Sequence, residues 1–171
     1  MSDTFITIVT VIAVALIMFV FPLMATANQN DNITKTSVQA IVSEFVNTAA
    51  KEGKITSNNY DNFVQKLYAT GNSYDVEIEV QHFDDNPGDK GADRDVIGEN
   101  IYYSEYTNTI IEEIDRAGLY KLKKGDYVKA KVENTNVTFG TQMKNFLYSI
   151  VGKDTIAIEA SASALVTTTG R

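Results

Sequence analysis

Cysteine and tryptophan are missing from this chain, and histidine occurs once, at His82. Without cysteine there is no disulfide, no thiol nucleophile and no thiolate zinc site. A single histidine excludes a histidine-rich metal site within one subunit. Basic residues are in short supply: 15 Lys and Arg against 22 Asp and Glu leave a net charge of −7, which argues against nucleic acid as a partner. There is no nucleophile elbow, phosphate-binding loop, HExxH pair or dinucleotide fingerprint. An anchored hydrolase would need paired carboxylates in a cleft, but Glu112-Glu113 and Asp84-Asp85 read as solvated surface pairs. The expectation is therefore a protein that is not an enzyme, with no catalytic, cofactor-binding or metal-binding residues and no cofactor.

The most informative absence is of charge between Phe5 and Ala27, 23 residues reading FITIVTVIAVALIMFVFPLMATA. As a helix this stretch reaches about 34 Å, against a bilayer core of about 30 Å. Thirteen of its residues are Leu, Ile, Val or Phe. At about −0.3 to −0.6 kcal/mol each they favour insertion by roughly 4–8 kcal/mol. Two other readings of the run are a buried core helix and a cleaved signal peptide ending at Ala25-Thr26-Ala27. The first is disfavoured because the run is apolar on every face. The second is disfavoured because the preceding Met1–Thr4 has no Lys or Arg and the run is longer than a signal core. Lys35, Lys51 and Lys54 follow the span and nothing basic precedes it. Charge counting alone thus puts the C-terminal part in the cytoplasm, opposite to the exported head that the architecture implies below.

Pro22 lies inside the run and should kink or loosen its helix. Polar Asn28–Asn32 marks an expected bend or unwinding where the chain leaves lipid. Val38, Ile41, Val42, Phe45, Val46, Ala49 and Ala50 then follow helical spacing as far as Gly53. The expected organisation is a transmembrane or assembly helix over 1–27, its amphipathic continuation over 28–53, and a soluble head over 54–171. In the head, Thr56 or Ser57 caps a helix with the stripe Tyr60, Phe63, Val64, Leu67 and Tyr68. Tyr74, Val76, Ile78 and Val80 alternate with acidic residues as a half-buried strand, which His82 extends as a structural residue. A third helix is expected with Tyr103, Tyr106, Ile110, Ile114 and Ala117 on one face, stopped by Gly118. A hairpin is expected to join 119–122 to 127–133 around Lys123-Lys124-Gly125-Asp126. A fourth helix starts at Thr138, and a last strand spans 155–168. The fold class is α+β: a long N-terminal hydrophobic helix, then a small, mainly antiparallel sheet packed by helices. Asp75, Glu77 and Glu79 on one strand and Lys129 and Lys131 on a later one suggest that these two strands are neighbours. The acidic loop 84–95 offers oxygen donors for calcium without the EF-hand spacing, so it reads as a solvated loop. Asn32 and Asn136 begin glycosylation sequons.

An apolar N-terminal helix with a late proline, a direct amphipathic continuation and a small α+β head resemble the subunits of type IV pilin-like filaments. The segment Gly125–Val132 and the strand from Ile156 to Val166 look like the heads of small tight-adherence pilins and pseudopilins. The resemblance covers the whole chain and is architectural. It implies a structural subunit of an extracellular pilus-like filament, inserted in the membrane before assembly and polymerising with copies of itself through the N-terminal helix. Pro22 corresponds to the family's helix-loosening proline. The glutamate that such helices carry near their start is replaced by Phe5, with Asp3 nearby. The alternative is a single-pass, membrane-anchored binding or accessory domain of a secretion, pilus or conjugation machine.

Overall fold

The computed structural model describes residues 2–83, 102–138, 141, 142, 145 and 158–170. The acidic loop 84–95, most of the fourth helix and the start of the last strand lie outside the described residues. The chain divides into two compact units, residues 1–36 with 137–158, and residues 37–136 with 159–171. The fold is α+β, a long apolar helix followed by helices and antiparallel sheets.

In the first unit, helix α1 (Ser2–Ala15) passes through one π-helical turn (Leu16–Val20) into α2 (Phe21–Glu52). The π turn has a local cause. Pro22 has no N–H, and in a regular helix its ring would meet the carbonyl of Met18. Widening the preceding turn relieves that conflict. The helix is therefore irregular at 16–20 and continuous through 28–32, where the polar patch predicted a break. Polarity alone does not interrupt a helix, because Asn and Asp side chains can point outward while the backbone ladder continues. Thr138 caps the segment after it as expected, its Oγ1 accepting from the Thr141 N–H at 3.1 Å. The same hydroxyl donates to Asp31 Oδ2 at 3.3 Å.

In the second unit, α2 ends at Gly53, which adopts φ +67°. Strand β1 (Lys54–Thr56) leads directly into α3 (Ser57–Tyr68), where Thr56 Oγ1 accepts from the Asn59 N–H at 3.2 Å. Then come β2 (Tyr74–Phe83), β3 (Tyr102–Tyr106), α4 (Thr107–Ala117), β4 (Leu119–Lys121), β5 (Tyr127–Asn134) and β6 (Glu159–Leu165). β1 pairs with β4, and a four-stranded antiparallel sheet runs β3-β2-β5-β6. Glu77 lies directly opposite Lys131 and Glu79 opposite Lys129, so the charge signs of the two strands correspond to real adjacency.

Two expectations are corrected. Tyr103 and Tyr106 lie on β3, not on α4. Their spacing to Ile110 and Ile114 fits a helix, but the aromatic run Tyr102-Tyr103-Ser104-Glu105-Tyr106 suits a pleated surface and pairs with Glu79–Phe83 of β2. The 119–122 and 127–133 segments do not form a hairpin. β4 joins β1 while β5 joins β2 and β6. The intervening turn, with Gly125 at φ +100° and Asp126 Oδ2 accepting from the Lys123 N–H at 2.8 Å, carries the chain from one sheet to the other.

The core is continuous. Val38, Val42, Phe45 and Val46 of α2 are buried in one cluster with Ile78, Val80, Val128, Ala130, Val132 and Ala160 of the sheet. This is the seating that the apolar stripe of α2 implies. Phe45 stacks on Phe63 of α3, ring centroids 4.3 Å apart. Ile110 and Ile114 bring α4 onto the same cluster.

Candidate functional site

The first candidate is the apolar helix. From Phe5 to Leu23 its large apolar side chains are 48–69% exposed, except half-buried Val20, so apolar surface is presented all the way round. It is long and apolar enough to cross a membrane. Its few polar groups are satisfied internally. Thr7 Oγ1 donates to Asp3 O at 2.8 Å, Thr10 Oγ1 to Ile6 O at 2.8 Å, and Thr26 Oγ1 to Pro22 O at 3.0 Å. A hydroxyl bonded back to its own helix costs little to transfer out of water. Asp3 sits in the first turn, where its charge complements the helix dipole. What this arrangement can do is bury itself, in lipid or against other apolar helices.

The second candidate is a chain of polar side chains inside the second unit, joining β2, β3, β4 and the turn before β5. Asp126, fully buried, accepts from the Phe83 N–H at 3.2 Å and, through its other oxygen, faces His82 Nδ1 at 2.8 Å. His82 Nε2 lies 2.6 Å from Tyr120 Oη, which donates to Glu105 Oε2 at 2.8 Å. The phenol has one proton and gives it to Glu105. Burial first, and then the Glu105 carboxylate, push the Tyr120 phenol well above the ordinary tyrosine value. His82 is thus tied at both ends, as expected of a structural residue at a strand end. Sequence reasoning missed its partners. They lie 44 and 38 positions away and no local pattern marks them.

Other sequence features are placed apart. Glu112 and Asp115 are exposed on α4 and Glu113 is half-buried. Asn32 is exposed within the α2 helix. Asn136 Nδ2 donates to Asn72 Oδ1 at 3.0 Å while its Oδ1 accepts from the Ser73 N–H at 2.8 Å, so this sequon amide is engaged in turn structure. Among the described residues, no group of three His, Asp or Glu side chains is placed to hold a metal ion. A long apolar helix followed by an antiparallel sheet is compatible with a pilin-like architecture. No protein-family model, no curated protein and no solved structure matches the chain.

Proposed function

We propose that this chain is the structural subunit of an extracellular pilus-like filament, with the N-terminal helices packed together as the filament core. One observation carries the reading: a helix apolar on every face from Phe5 to Leu23 continues as the helix that enters the core of the second unit. Such a surface is unstable in water and must be covered. At about 25 cal/mol per Å² of apolar area, neighbouring copies can cover it as favourably as lipid does. On this reading the helix rests in the membrane before assembly, copies of the chain are its main partners, and the acidic head remains wet outside. No catalytic step or cofactor is required.

The π turn ahead of Pro22 favours polymerisation over simple anchoring, because a locally loosened helix can adjust its path when it exchanges lipid for protein neighbours. The second reading, a single-pass anchored accessory domain, is favoured by the internally bonded threonines, which suit a permanent lipid environment. Detergent removal from the purified full-length chain, followed by electron microscopy, separates the two. Ordered filaments support the subunit reading, and Pro22→Ala should reduce their yield. A wild-type chain that only reinserts into liposomes as a monomer overturns it.

A further inference from the structure

A groove of about 590 Å³ opens in the second unit beside the first half of β2, walled by Tyr60 and Val64 of α3, by Tyr106 at the end of β3 and by Ile111 of α4. Its floor is a strand edge. β5 pairs with β2 from Tyr74 to Gln81, but β3 covers only Glu79–Phe83 on the other side. At Ile78 the edge is closed by a side chain: Thr107 Oγ1 accepts from the Ile78 N–H at 2.7 Å and donates to its carbonyl at 3.3 Å. Backbone groups alternate sides along a strand. Ile78 faces away from β5, and the Ser73 carbonyl accepts from Thr135 N–H at 2.9 Å on the β5 side. Val76 and Tyr74 share the parity of Ile78, so their N–H and C=O groups point into the groove. No described strand pairs with them there.

We propose that this edge accepts an extended segment of a partner protein, added as a short antiparallel strand in line with β3, with apolar and basic residues alternating. Backbone pairing to Tyr74 and Val76 supplies the attachment. Apolar side chains of the incoming strand fill the space between Tyr60, Val64 and Ile111. Charge selects the remaining positions. Asp75 and Glu77 are exposed on the opposite face of the same four residues, and Asp75 lies across from Glu133. The described cations on that face are already engaged: Lys131, opposite Glu77, reaches Glu133 and Glu159 at 3.7 and 3.2 Å, and Lys129 reaches Glu79 at 3.3 Å. An incoming Lys or Arg is therefore favoured there. Pairing of the edge with the same edge of a second copy would set carboxylates against carboxylates, so a second copy is excluded as the occupant. This proposal is independent of the filament reading.

The test uses the full-length chain in detergent micelles and a fluorescent eight-residue peptide of alternating Lys and Val. Saturable binding is expected at micromolar to millimolar concentration. Methylating the peptide backbone nitrogens on one edge should weaken it at least about tenfold, as should replacing Lys by Glu. Val76→Pro removes a donor that faces the groove and takes no part in the β5 ladder; the variant should keep its circular dichroism spectrum and lose binding. If Val76→Pro unfolds the chain, the methylated peptide decides alone. Absence of saturable binding, or binding indifferent to backbone methylation, overturns the proposal. Amide resonances of Tyr74 and Val76 that stay unshifted while the peptide binds elsewhere also overturn it.

Discussion

At the scale of the residue, Asp126 has the most dependants. It receives two backbone N–H groups and faces a histidine from a fully buried position. Asp126→Ala leaves all three without an acceptor and should destabilise the head by about 3–5 kcal/mol, read as a shift in denaturant midpoint at constant slope. Tyr120 sets an alkaline limit. Burial and the Glu105 carboxylate raise its pKa, so the folded chain holds the phenol proton after the unfolded chain has lost it. The sign follows: this stability is fully present below the unfolded tyrosine value of about 10 and is lost as pH rises past it. Tyr60, raised chiefly by burial, acts in the same direction. Unfolding curves between pH 8 and 11 should show falling stability. Tyr120→Phe should start lower and fall less steeply.

At the scale of the element, the amphipathic half of α2 holds the sheet. Phe45 is buried against Phe63, and Phe45→Ala should cost about 3–5 kcal/mol; an unchanged melting temperature would contradict the seating described above. Elements differ in how well the sequence announces them. The apolar helix and the long strands β2 and β5 repeat their patterns over many residues, and the opposite charges on the two strands mark them as neighbours. β1, β3 and β4 have only three to five residues each, too few for a period to show. The spacing of Tyr103 and Tyr106 fits a helix face and puts them on opposite faces of a strand, and only the pairing with β2 decides for the strand. The polar chain through His82 was not legible because its members meet only after both sheets have formed. The edge groove was hidden for a related reason: a strand's free side depends on where its neighbour stops.

At the scale of the whole molecule, the chain combines a domain with its own core and a helix whose large apolar side chains are mostly exposed from Phe5 to Leu23. Ile12→Asp places a charge in the middle of a run that has no other charged residue between Phe5 and Ala27. The variant should leave the denaturation of the head unchanged and weaken membrane insertion, the charge costing about 2.5–3.5 kcal/mol of it, and on the filament reading it should also block assembly. Flotation on a density gradient measures insertion and electron microscopy measures assembly. Insertion of the variant at the wild-type level would mean that the run is shielded in some other way.

The π turn at Leu16–Val20 also sets the rotational phase of everything before it. Each residue turns an α-helix by about 100°, and a π turn holds one residue more than an α turn would. Removing one residue between 16 and 20 should therefore restore a regular helix with that phase nearly kept, whereas removing Ala13 from the regular part of α1 should leave the head alone and rotate Phe5, Ile8 and Ile12 by about a quarter-turn relative to α2. An anchor in fluid lipid is indifferent to that angle. A packed helical lattice is not, so on the filament reading the Ala13 deletion should change the handedness or repeat of the polymer, while a deletion within 16–20 should not, and neither touches a buried contact of the folded domain.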